Sequence, residues 1–235
     1  MYSMAQKMVA EFVGTFTLIF IGAGSICADQ YIRQAGGGGL GLLGIAAAHG
    51  LAFGIMVTAV GHISGGHLNP AVTMGFWVTK RLGTVQSLLY WLAQLLGGAA
   101  AAYLLAAIVP DSSWRAQALS QITPDLGGDF ARVEGIGLEA VMTFFLVFVF
   151  FATAVDSKGA FNKIAGFAIG LTITMDILFG GPFTGASMNP ARTFGPALAT
   201  RHWANHGVYW VGPLFGGIVA AYLYDRLFLR DQPPA

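Results

Sequence analysis

A six-residue phrase occurs twice in this chain and limits what it can fold into. Leu68-Asn69-Pro70-Ala71-Val72-Thr73 returns, with small changes, as Met188-Asn189-Pro190-Ala191-Arg192-Thr193. Each copy interrupts a long apolar stretch. Hydrocarbon offers no hydrogen-bond partners, so backbone that leaves a helix inside a membrane must be enclosed by protein or line a watery cavity. The two phrases therefore mark the interior of the fold and the place to look for function.

Lipid is the relevant solvent. Of 235 residues, 55% are hydrophobic and 10% charged, whereas a soluble domain carries roughly 25% charged residues. Apolar runs of spanning length recur at about 8–28, 41–62, 84–108, 136–155, 163–181 and 207–228, which predicts six transmembrane helices. The first run follows Lys7, is too long for the apolar core of a secretory signal and lacks a clear cleavage site, so it reads as a retained helix. A net charge of +1 with no basic stripe argues against nucleic acid as a partner. The single Cys27 excludes an internal disulfide and a cysteine-based metal cluster.

With six spans both termini share a side. Lys7, Lys80, Arg81, Lys158, Lys163, Arg226 and Arg230 flank that side, while Arg33, Arg115, Arg132 and Arg201 on the other are mixed with acids. Basic loops stay inside, so both termini are expected to be cytoplasmic, in an integral membrane protein of the cell (plasma) membrane.

One domain, 1–235, is expected, made of two repeats. Glu11-Phe12-Val13-Gly14-Thr15-Phe16 opens the first, about 8–108; Glu139-Ala140-Val141-Met142-Thr143-Phe144 opens the second, about 136–228. An outer loop, 110–135, rich in Pro, Gly, Ser and charge, joins them. Three spans per repeat is an odd number, so the second repeat enters the membrane inverted. The stretches 70–79 and 190–199 are too short to span and too apolar for water. They read as half-helices dipping in from opposite faces, each started by Asn as N-cap and Pro at the first helical position.

The paired Asn-Pro-Ala phrases, the Glu-x-x-x-Thr-Phe openings and His62-Ile63-Ser64-Gly65-Gly66-His67 resemble the aquaporin (major intrinsic protein) family over about 8–228. The resemblance implies an all-α membrane fold of six transmembrane helices and two re-entrant half-helices. It also implies a homotetramer in the lipid bilayer, without metal or other cofactor and without enzymatic activity. Asn69 and Asn189 are then the central constriction: their oxygens cap the half-helices, and their amides face the lumen as donors that break a proton wire. The two helix N-termini add positive potential against cations. Gly65, Gly66, His67 and Leu68, with Gly185, Ala186, Ser187 and Met188, are expected as extended backbone whose carbonyls line the pore. Glu11 and Glu139 are expected to hold these loops by accepting their N–H groups.

Counting from the motif asparagines to the family's narrowest point gives His49, Ile177, Ala186 and Arg192 as the selectivity filter. Arg192 is a fixed cation whose donors bind permeating oxygen atoms. An apolar Ile177 opposite Arg192 and His49 resembles the plant tonoplast intrinsic proteins and the ammonia- and peroxide-permeable branch in mammals. Water, ammonia and hydrogen peroxide are thus the expected solutes. The glycerol facilitators fit less well, having Asp where Thr193 stands, and a secondary transporter would need an intramembrane acid that Glu11 and Glu139 do not supply. Asp176 is expected to face solvent at the outer end of span five, and His202 and His206 to be ordinary loop residues. Trp77, Trp91, Trp203 and Trp210 suit interfacial belts or helix packing.

Overall fold

The computed structural model describes residues 2–158 and 164–229. Lys163 and Arg230, used above to orient the chain, lie outside the described residues. Nine α-helices follow one another among those described: α1 Met4–Gln34, α2 Gly41–Ser64, α3 Pro70–Val78, α4 Thr84–Ile108, α5 Arg115–Gln121, α6 Arg132–Phe150, α7 Ala165–Thr184, α8 Pro190–Thr200 and α9 Val208–Phe228. A single π turn, Phe151–Val155, extends α6. Five of these elements are long and apolar enough to cross a membrane. The sixth span, α9, has 21 residues, with its apolarity diluted by Tyr209, Trp210, Pro213, Asp225 and Arg226.

Local chemistry sets the helix ends. Ser3 starts α1 through a capping box with Gln6. Both α2 and α7 stop at a left-handed glycine, Gly65 (φ 96°) and Gly185 (φ 78°), each donating its N–H four residues back, to Gly61 and Gly181. The 110–135 joint is more ordered than its composition suggests, because it contains α5 and the first turn of α6. Arg115 caps α4 by donating to the carbonyls of Ala106 (2.5 Å) and Val109 (3.0 Å). Gln30 and Gln121 bond at 2.8 Å and Tyr31 meets Trp114 edge-on, which ties α5 to α1.

The helices pair in a pattern that repeats. α1 packs on α4 and α2 as α6 packs on α9 and α7, while α2 and α7 pack on each other. At that last crossing a Cβ on Gly50 would collide with the Gly170 carbonyl, and one on Gly54 with the Gly166 carbonyl. Only glycine permits this approach, the small-residue contact by which helices associate in lipid. The half-helices are exchanged between repeats: α3 lies mainly against α9 and α8 mainly against α4. This arrangement brings the N-termini of α3 and α8 together at the centre.

Candidate functional site

The two asparagines meet as a reciprocal pair. Asn69 caps α3, its Oδ1 accepting from the Ala71 N–H at 2.8 Å; Asn189 caps α8, accepting from Ala191 (3.0 Å) and Arg192 (3.3 Å). Each amide nitrogen then reaches across. Asn69 Nδ2 donates to the Met188 carbonyl and Asn189 Nδ2 to the Leu68 carbonyl, both at 2.9 Å. One of the two amide protons on each asparagine is therefore spent on the opposite loop. The carbonyls of Leu68 and Met188, expected along the pore, are each already engaged by one donor.

The loops before the asparagines are not extended as anticipated. Leu68 (φ 50°), Ala186 (φ 44°) and Met188 (φ 52°) join Gly65, Gly66 (φ 64°) and Gly185 in the left-handed region. Such strain persists where the surroundings over-determine it, and two buried carboxylates do so here. Glu11 Oε1 accepts from Ser64 Oγ (2.6 Å) and the His67 N–H (2.9 Å), and its Oε2 from the Leu68 N–H (2.6 Å) and Gln94 Nε2 (2.8 Å). Glu139 Oε1 accepts from Thr184 Oγ1 (2.7 Å) and the Ser187 N–H (2.9 Å), its Oε2 from the Met188 N–H (2.7 Å).

These bonds fix where the loop oxygens go. In a trans peptide the C=O points opposite to the N–H of the next residue, and no peptide among the described residues is cis. With the N–H groups of His67 and Leu68 turned to Glu11, the oxygens of Gly66 and His67 turn away from it. The oxygens of Ala186 and Ser187 turn away from Glu139 likewise. Gly66 and Ala186 donate to Ser64 Oγ and Thr184 Oγ1 at 3.1 Å each, which orients the Gly65 and Gly185 carbonyls in the same manner. Tyr90 and Tyr209 close the loops from behind, their hydroxyls donating at 2.7 Å to the carbonyls of Ser64 and Thr184. Sequence reasoning missed Gln94 and this tyrosine pair, although the equivalent places of Tyr90 and Tyr209 in the two repeats were a usable signal.

Beyond the asparagines a narrow cavity of about 10 Å³ is lined by His49, Ile177, Ala186 and Arg192, by Ser187, Met188, Asn69 and Asn189, and by the apolar Leu18, Phe53, Leu146 and Ile173. All four residues expected at the filter thus share one space with both asparagines. The polar pair among them is locked. His49 Nδ1 lies 2.9 Å from the Ile45 carbonyl and so carries the proton, which leaves Nε2 to accept from Arg192 Nη2 at 3.3 Å. Arg192 Nη1 donates to the Ile122 carbonyl at 2.9 Å. That backbone grip, from the 110–135 segment, was invisible in the sequence.

The structure corrects the reading of Asp176. It is buried, 3% exposed, and its Oδ2 has no hydrogen-bond partner among the described residues. Its helix face turns inward because α7 runs against α6: a Cβ on Gly180, one turn along, would meet the Met142 side chain. On the outer loop His202 Nε2 is bonded to Asp125 Oδ2 at 2.6 Å, and His206 Nε2 accepts from Trp210 at 3.0 Å. Among the described residues no cluster of three or more metal-ligating side chains forms. Trp77, Trp91 and Trp210 form a chain of edge-on ring contacts, and Trp203 packs edge-on against His206.

Residues 1–224 match the family model described as Major intrinsic protein. The chain is 46% identical over 230 residues to Aquaporin TIP4-4 of Zea mays, covering 96% of this chain and 88% of that protein. It is 41% identical over 231 residues to Aquaporin TIP2-1 of Arabidopsis thaliana, covering 97% and 89%. In fold it is similar to the aquaglyceroporin from Plasmodium falciparum, with a TM-score of 0.83 at 22% identity over 97% of this chain and 98% of that one. These relatives lend no support to the plasma-membrane address expected above. The chain belongs to the major intrinsic protein family, the aquaporins: integral membrane channels that pass water and small solutes passively and are not enzymes.

Proposed function

We propose that this channel passes ammonia and hydrogen peroxide along with water while excluding protons and ions, with His49, Ile177, Ala186 and Arg192 as its filter. The observation carrying this reading is the cavity that Ile177 lines together with Arg192 and His49. The guanidinium and imidazole bond to each other, so the polar side of the opening is fixed, and Ile177 makes the facing side apolar. Such an opening admits a small neutral solute that offers one acceptor to Arg192 and rests its other side on hydrocarbon.

Asn69 and Asn189 act as the central constriction, each offering its remaining amide proton to a passing water. A water that accepts from both turns its own hydrogens outward, which interrupts proton hopping, and the N-termini of α3 and α8 repel cations. The carbonyls of Gly65, Gly66, His67, Gly185, Ala186 and Ser187 supply the acceptors between, with Leu68 and Met188 contributing a second lone pair. Glu11 and Glu139 hold the loops. The chain works as one domain of two inverted repeats, in a homotetramer with both termini cytoplasmic.

Stopped-flow measurements on proteoliposomes test this. Water, ammonia and peroxide fluxes are expected well above those of empty liposomes, with glycerol near background. Peroxide influx equal to that of empty liposomes beside high water flux refutes the peroxide assignment. High glycerol flux favours a glycerol facilitator, and saturable or gradient-coupled uptake a transporter.

A further inference from the structure

The segment Ile122–Gly127 is anchored at three points, one of them on Arg192 of the cavity lining and two at the end of α7 and the loop that follows it. The Ile122 carbonyl takes Arg192 Nη1 at 2.9 Å, Pro124 stands against Gly185, and the Gly127 N–H donates to the Phe183 carbonyl at 2.7 Å. Between those points is Asp125, whose carboxylate faces outward to a different element. Its Oδ1 accepts from the Leu126 N–H and from Asn205 Nδ2, both at 2.8 Å, and its Oδ2 meets His202 Nε2 at 2.6 Å. Asn205 is fixed in turn by Arg132 Nε, which donates to its Oδ1 at 2.9 Å. A second stitch, Thr123 to Thr200 at 2.9 Å, joins the same segment to the end of α8. The strap is therefore clamped to the α8–α9 connection, and it reaches a side chain of the cavity through the Ile122 carbonyl on Arg192.

We propose that Asp125, with His202 and Asn205, is a positioning residue for selectivity: it holds the Ile122 carbonyl where it fixes the Arg192 guanidinium across the pore. Arg192 has five donors and a long, rotatable stem. His49 alone restrains one of its nitrogens, and the backbone oxygen supplies the second point that sets the plane. Without the clamp the strap relaxes, the arginine gains freedom and the opening admits larger solutes. The proposal rests on the reading of Arg192 as a filter residue.

The test compares glycerol and water permeability in proteoliposomes for Asp125→Ala, Asp125→Asn and His202→Ala, each also in an Arg192→Val background. Asp125→Ala is expected to raise the glycerol-to-water ratio about fivefold, the effect of one lost hydrogen bond on a barrier. Asp125→Asn, which still accepts from Leu126 and Asn205 and can donate to His202, is expected to restore it. In the Arg192→Val background Asp125→Ala should change nothing, because its output is gone. An unchanged ratio in Asp125→Ala, or the same rise in the Arg192→Val background, overturns the proposal. Should Asp125→Ala not fold, His202→Ala decides: a rise supports the clamp and a wild-type ratio refutes it. Absence of water flux in the wild type would instead sink the channel reading.

Discussion

The Glu11 carboxylate collects four donors, so exchanging one oxygen for an amide is a sharp probe. Glu11→Gln keeps an oxygen for Ser64 and the His67 N–H and places an NH2 against the Leu68 N–H and Gln94 Nε2. Two buried donors lose their acceptor. A turned Gln94 amide can offer its unpartnered Oε1 to the new NH2 but gives up its 3.0 Å bond to Thr73, so the balance is unchanged. At about 1–3 kcal/mol for each orphaned buried donor, the loss is roughly 2–6 kcal/mol. For a chain of this size that lowers the unfolding midpoint by roughly 4–24 °C. Glu139→Gln orphans only the Met188 N–H, so its loss is about 1–3 kcal/mol. Thermal unfolding in detergent, followed by tryptophan fluorescence, should rank wild type above Glu139→Gln above Glu11→Gln. A Glu11→Gln midpoint equal to wild type, or above that of Glu139→Gln, would refute the assignment of the carboxylates as loop holders.

Asn189→Asp keeps the oxygen that caps α8 but removes the amide that reaches Leu68 and the lumen. Water flux is expected to persist while a proton leak appears in vesicles loaded with a pH dye, and a leak no greater than wild type contradicts the role given to the amide. Ile177→His converts the apolar wall to a polar one, and the peroxide-to-water ratio should fall about tenfold, the discrimination that a small change in an apolar pocket supplies. An unchanged ratio removes Ile177 from the filter. Burial raises the pKa of Asp125, but bonds from Asn205, His202 and Leu126 outweigh it and hold the group below its usual 3.8. The stabilisation this gives the strap is complete above about pH 4 and lost as pH falls through the lower folded value. Amide exchange in Ile122–Gly127, corrected for intrinsic rates, should then be equally protected at pH 7 and pH 5, and loss of protection between those values counts against the clamp.

The half-helices were legible because Asn followed by Pro is a helix start whatever surrounds it. The observed bounds, Pro70–Val78 and Pro190–Thr200, fall within a residue of the sequence reading at either end. The positive φ angles of Leu68, Ala186 and Met188 were not legible, since none is a residue type that favours that region; the distant glutamates impose it. Asp176 misled for a related reason. An acid near a helix end suggests water, and only the packing of α6 on α7 turns that face inward. Ile122 was hidden more deeply, because its contribution is a peptide oxygen, which any residue carries, placed 70 positions from the arginine it holds.

The crossed bonds from Asn69 to Met188 and from Asn189 to Leu68 bear on how the chain is made. Synthesis delivers the first phrase to the membrane while the second is still unwritten, and until the second arrives Asn69 has no carbonyl to reach and Leu68 no amide to receive. Its re-entrant turn therefore has to be held provisionally by groups of its own repeat, Glu11 and Tyr90 among them. Completion of the centre is a docking event between two halves, and neither half expressed by itself can contain the pore. Two separately encoded halves that recover water flux only when produced together would be the natural expression of that interdependence.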